Sequence, residues 1–118
     1  MNLTAIEREL AVKTLRDSAD VIDRNGWTQG QYAERQEDKP VETWPVCALG
    51  AVNVATSGHP LGGAEWGTIQ RFILAKDVMS AHVGQSLIDW NDTPGRTAEQ
   101  VTEAFRTCAS LIEAGEAA

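Results

Sequence analysis

Positive charge is sparse in this chain, and cysteine, proline and long apolar runs are sparser still. Ten Lys and Arg residues stand against seventeen Asp and Glu, for a formal net charge of −7. The basic residues are scattered from Arg8 to Arg106 and form no stripe. Nucleic-acid affinity rests on Lys and Arg that neutralise phosphates, so direct DNA or RNA binding is not expected. A protein partner with a basic patch fits the charge better.

The two cysteines, Cys47 and Cys108, stand far apart, and neither they nor His59 and His82 form a Cys-x-x-Cys or His-x-x-x-His pair. A zinc site and a disulfide framework are therefore not expected. No apolar stretch approaches the roughly 18–20 residues that span a bilayer, so no membrane association is expected. The start "MNLTAIERELAVKTLRD" is charged at helical spacing and lacks the apolar run of a signal peptide. A cytoplasmic location with reduced thiols is the expectation. "GHPLGGAEWG" has glycines but no Lys-Ser/Thr, so it is no phosphate loop. No cofactor is expected.

What is present is helical punctuation. The 118 residues suit one domain over 1–118. Thr4 and Glu7 form a capping box ahead of a first helix over Ala5 to Arg24. Its apolar stripe is Leu3, Ile6, Leu10, Leu15, Ala19 and Ile22, with Ala11 and Val12 alongside. Asn25-Gly26 supplies a left-handed stop, with Trp27 folding back onto Ile22. Residues 27–44 lose this periodicity and read as a loose β-hairpin or ordered loop with its tip near Gln36 to Lys39. Thr28 and Gln31 also fit the cap of a short helical turn.

A second helix is expected from Pro45 to Ser57, with proline in its first turn. "VCALGAVNVA" is apolar on nearly every side and belongs at the centre of a bundle, where Gly50 permits close approach. A third helix starts between Ala64 and Thr68 and ends at Val83. Trp66, Ile69, Phe72, Ile73, Val78, Met79, His82 and Val83 make its apolar side. Ser86 and Asp89 cap one further turn. Thr97 and Gln100 form a capping box for a last helix, whose Val101, Ala104, Phe105, Cys108, Leu111 and Ile112 keep the 3.6-residue period. Gly115 ends it, and the tail beyond is expected to fray. The fold class is all-α or mainly α: a small four-helix domain with a short irregular or β-hairpin excursion near 27–44.

"DWNDTPGRTAEQV" joins the last two helices. Pro94 and Gly95 suit the central positions of a type II turn. Trp90 should plug this corner, Asn91 and Asp92 should bond nearby backbone N–H groups, and Asp92 could pair with Arg96. A calcium loop fails, because Pro94 and Gln100 stand where glycine and glutamate are needed. No catalytic or metal residue is assigned. Cys47, near a helix N-terminus, could be an activated thiol, but its apolar neighbours favour a packing role. Cys108 reads as core.

Three pieces, "NGWTQG", "VCALGAV" and "WNDTPGRTAEQV", occur in that order. Together they resemble an uncharacterised family of short proteins from actinobacteria and their phages, a domain of unknown function. Its members show a Gly-Trp pair followed by glycine, a Cys-x-x-Gly-Ala segment, and Trp-Asn-Asp before a Thr-capped final helix. Where they have a plain charged hairpin, this chain has "AERQEDKPVETW". The resemblance implies a small helical protein, often phage-borne, and no activity.

The leading functional expectation is a non-enzymatic interaction protein that binds a host or phage protein. Its face would be acidic and aromatic, built from Trp27, Tyr32, Trp44, Trp90, Asn91, Asp92 and Arg96. The alternative is a small-ligand pocket or Cys-dependent enzyme using Cys47, Asn91, Asp92 and Arg96.

Overall fold

The computed structural model describes residues 2–115, so the expected fraying beyond Gly115 concerns residues outside the described ones. Among the described residues there are five α-helices: α1 (Ala5–Asn25), α2 (Ala48–Ser57), α3 (Trp66–Val83), α4 (Leu87–Asn91) and α5 (Ala98–Glu113). The mainly helical class is as expected, with the "SLIDW" turn forming α4.

Four of the five starts follow from a side chain that takes otherwise unpaired N–H groups; α3 begins after Glu65 without a side-chain cap. Thr4 and Glu7 complete the capping box of α1, and Thr97 and Gln100 that of α5. Ser86 accepts from the Asp89 N–H to start α4. The second helix begins later than its sequence suggested. Pro45 to Cys47 stay outside the helix, and Cys47 is the cap, its Sγ accepting from the Gly50 N–H at 3.3 Å. The reason is competition for backbone partners. Val46 N–H donates to Gly26 carbonyl, while Val46 carbonyl accepts from Thr28 N–H. Pro45 carbonyl accepts from Glu34 N–H, and Cys47 N–H donates to Tyr32 carbonyl. Val46 is thus held between Trp27 and Ala33 by two isolated bridges, one parallel and one antiparallel.

No β-hairpin forms in 27–44; among the described residues this segment is an ordered loop with a short 3₁₀ turn, Val41–Thr43. Its tip does lie at Gln36 to Lys39, where Asp38 takes φ +67°. Asn25 Nδ2 donates to the carbonyls of Glu42 and Trp44 and ties the returning end to α1. Gly26 has φ +98° but an extended ψ of 173°, so α1 ends by passing straight into the strand-like pairing and not in a left-handed cap.

α2 is buried from Ala48 to Asn53 and lies against α1, α3 and α4. α1 and α5 run antiparallel: Arg16 holds Glu113 in a two-pronged ion pair, and Arg106 reaches Asp20 and Asp23. Hydrogen bonding to Arg16 holds the Glu113 carboxyl below its ordinary range. Phe105, Leu15, Met79, Val52 and Val101 are among the largest fully buried side chains of the core.

Two expected stripes are corrected, one at its start and one across its width. Ile6 is 70% exposed and Leu10 is at the surface. α5 ends where Glu113 meets Arg16, so the first turns of α1 project past the helix they would pack on. On α3, Ala75, Val78 and Met79 are buried, whereas Trp66, Ile73 and His82 are exposed. At about 100° per residue, Trp66 and Ile73 fall nearly opposite Ala75 and Met79. The apolar arc of α3 is too wide for one face. His82 sits at the last turn, beyond the core. No helix among the described residues is long and apolar enough to cross a membrane.

Candidate functional site

The three sequence pieces that carry the family resemblance meet at one side chain. Asn91 is fully buried. Its Oδ1 accepts from the Trp27 indole N–H at 2.7 Å and from the Ala48 N–H at 2.9 Å. Its Nδ2 donates to Thr28 carbonyl and to Asp92 Oδ1. Sequence reasoning placed Asn91 as a local turn-former; instead it joins the 27–33 loop, the start of α2 and the end of α4. Gln29 Nε2 adds bonds to the carbonyls of Asn91 and Thr93, and the Gly30 N–H donates to Asp92 Oδ1.

Gly50 completes the junction. Tyr32 carbonyl lies so close that a Cβ at position 50 would stand 2.2 Å from it. The spacing of the Cys-x-x-Gly piece therefore has two physical reasons: Cys47 caps the helix, and Gly50 one turn later admits the crossing loop.

Other expected face residues are placed as follows. Trp90 is buried and plugs the corner as anticipated. Arg96 does not pair with Asp92. Its Nε donates to Trp90 carbonyl, and its guanidinium stands 4.2 Å over the Trp90 ring, held there by cation–π attraction. The Thr93–Arg96 turn closes by a 3.1 Å backbone bond with Gly95 at φ +87°, as type II geometry requires. Trp27 is half-buried, and Trp44, also half-buried, donates its indole N–H to Lys39 carbonyl. Of the seven residues, Tyr32 is the one large apolar side chain left open, at 40%.

Beside the junction is a cleft of about 170 Å3, lined by Gly30, Gln31, Tyr32, Cys47, Ile88 and Asp92. It brings Cys47 and Asp92 together as the alternative reading required, but Arg96 is not part of its wall, and Asn91 lies behind it. Burial pushes the Cys47 thiol up from its ordinary value, against N–H bonds from Gly50 and Leu49 that favour thiolate, and nearby Asp92 pushes it the same way as burial. A thiol shifted in that direction is a poor nucleophile at neutral pH. Cys108 is core as expected, raised by burial to about 11. Among the described residues no cluster of three His, Cys, Asp or Glu side chains could hold a metal.

Tyr32 is also a wall of a second, larger groove of about 460 Å3. Leu61, Gly62, Thr68, Ile69, Phe72 and Ile73 lie along it. Leu61 is 71% and Trp66 69% exposed at this end of α3. The sequence placed Trp66, Ile69, Phe72 and Ile73 on the packed side of this helix and not on a binding surface. Helical angles show that the apolar arc of α3 is too wide for one face, but not which part of it the neighbours cover.

No curated protein and no solved structure matches the chain. A family model does match, over residues 7–111, which takes in the whole junction around Asn91. The chain therefore belongs to the Family of unknown function (DUF6197).

Proposed function

We propose that this protein is a non-enzymatic interaction domain that takes a basic protein partner on the open end of α3. The observation that carries the reading is the grouping of Leu61, Trp66 and Ile73, each well exposed, beside a groove walled by Tyr32, Ile69 and Phe72. Isolated exposed apolar side chains are ordinary, but contiguous ones that include a tryptophan are typical of binding surfaces. Trp66, Ile69 and Ile73 stand at the i, i+3, i+7 spacing of one helix ridge. The net charge of −7 supports a basic partner. The actinobacterial and phage setting implied by the motif resemblance makes a host or phage protein the class of partner to test.

This face replaces the Trp27, Trp44 and Trp90 surface suggested by composition, because those indoles serve the fold. The Cys-dependent alternative has less support, since the Cys47 thiol is both buried and raised.

Site-specific photo-crosslinking in the native host tests the reading. A crosslinking residue at position 73 or 61 captures a specific protein, and one at position 103 on exposed α5 does not. Equal capture from position 103, or none from 61 and 73, would overturn the proposal.

A further inference from the structure

The cleft beside the junction and the α3 groove are both lined by Tyr32, so they adjoin across that side chain. We infer that the Asp92 cleft anchors a single Lys or Arg side chain of the partner, while that segment's adjacent apolar side chains lie in the Tyr32–Ile73 groove. This rests on the α3 reading above and names the chemistry of the partner.

Four features carry it. First, the Asp92 carboxylate is oriented from behind: Oδ1 accepts from the Gly30 N–H and from Asn91 Nδ2. Its second oxygen has no protein hydrogen bond, and Asp92 forms no ion pair, among the described residues. Second, the positive end of α2 does not offset it with open donors. The Ala48 N–H is taken by Asn91 and the Gly50 N–H by Cys47. The cleft presents a carboxylate and no bare N–H from these residues, so it selects cations over anions. Third, the walls suit the stem and head of a long basic side chain. Ile88 and the Tyr32 ring supply apolar and aromatic surface, against which an aliphatic stem and a guanidinium both pack well. Fourth, about 170 Å3 is smaller than the roughly 300–1,000 Å3 of ordinary ligand sites. It accepts one side chain, not a cofactor.

The charge of the occupant and its immediate neighbours are thereby specified: a cationic residue next to apolar ones. A carboxylate held by two fixed donors needs no reorganisation to receive a guanidinium or ammonium group.

Selection from a random linear peptide display library against the full chain tests this. Enriched peptides should carry Lys or Arg next to apolar residues. A representative synthetic peptide should bind Asp92→Asn about ten-fold more weakly, as loss of a charge-assisted bond implies. Its binding should also weaken with added salt. Asp92→Asn keeps Oδ1 and its two internal bonds, so the fold is preserved. Ile88→Arg, at a position 41% exposed, is a second variant that supplies an internal cation and should weaken the same peptide. Ile73→Asp should abolish binding. Enriched peptides without a cation, lost on Ile73→Asp but indifferent to Asp92→Asn and Ile88→Arg, would overturn the anchor and leave the α3 face standing. Peptides indifferent to all three variants, or no enrichment, would overturn both.

Discussion

The indole N–H of Trp27 donates to the carboxamide oxygen of Asn91 at 2.7 Å, across 64 positions of sequence. The same oxygen takes the first free N–H of α2 from Ala48. One buried amide thus satisfies three segments, and no buried side-chain polar atom among the described residues lacks a partner. An amide held this way is costly to remove, because its partners cannot find water.

Asn91→Ala should therefore destabilise the protein by about 3–5 kcal/mol, since it strands the Trp27 and Ala48 donors and the Thr28 acceptor. Asn91→Asp should also destabilise it, because a second oxygen would then face Thr28 carbonyl and Asp92. Urea unfolding measures both. A loss below about 1 kcal/mol for Asn91→Ala would show that the junction is not a keystone of the fold.

Gly50→Ala should cost at least about 2 kcal/mol. The added methyl meets a backbone carbonyl at 2.2 Å, and the loop carrying Tyr32 must move away to admit it. Gly67→Ala, on the same kind of helix with only the end of Arg71 nearby at 3.8 Å, should be neutral or stabilising. Paired thermal melts of the two variants check the contrast.

Trp66→Ala should change stability by less than about 0.5–1 kcal/mol, as an exposed side chain outside the core. Trp27→Ala should cost several times more, because it removes core packing and the bond to Asn91 together. If the two variants melt alike, Trp66 is holding structure and the proposed face loses its central residue.

Alkaline pH should destabilise the fold through Cys108. Its thiol has an ordinary value of 9.0 and is raised to about 11 by burial in the native chain. The native state binds that proton more tightly than the unfolded state. The stabilisation is complete below pH 9 and is lost as pH rises through 9 toward 11. Cys47 is raised in the same direction. Urea midpoints should fall across this window, and Cys108→Ala should flatten the fall. The same burial means that iodoacetamide reacts slowly with both thiols until the chain unfolds.

What the sequence determined by itself is local. Capping boxes at Thr4 and Thr97, the helix ends at Ser57 and Val83 and the turn at Pro94-Gly95 each depend on a few neighbouring residues, so each was legible in the order of side chains. The one-sided apolar period of α5 likewise named Phe105, Cys108 and Ile112 as core. Tertiary structure decided the rest. Whether Pro45 begins a helix depended on competing backbone partners at Gly26, Thr28, Tyr32 and Glu34, which lie up to about twenty positions away. Which half of α3 stays open depended on where its neighbours end, and how far the α1 stripe is covered depended on the length of α5. Asn91 looked like a turn residue because its neighbours in sequence are turn residues. Its actual partners arrive only when two distant loops cross, and a buried amide takes whatever donors the fold brings to it.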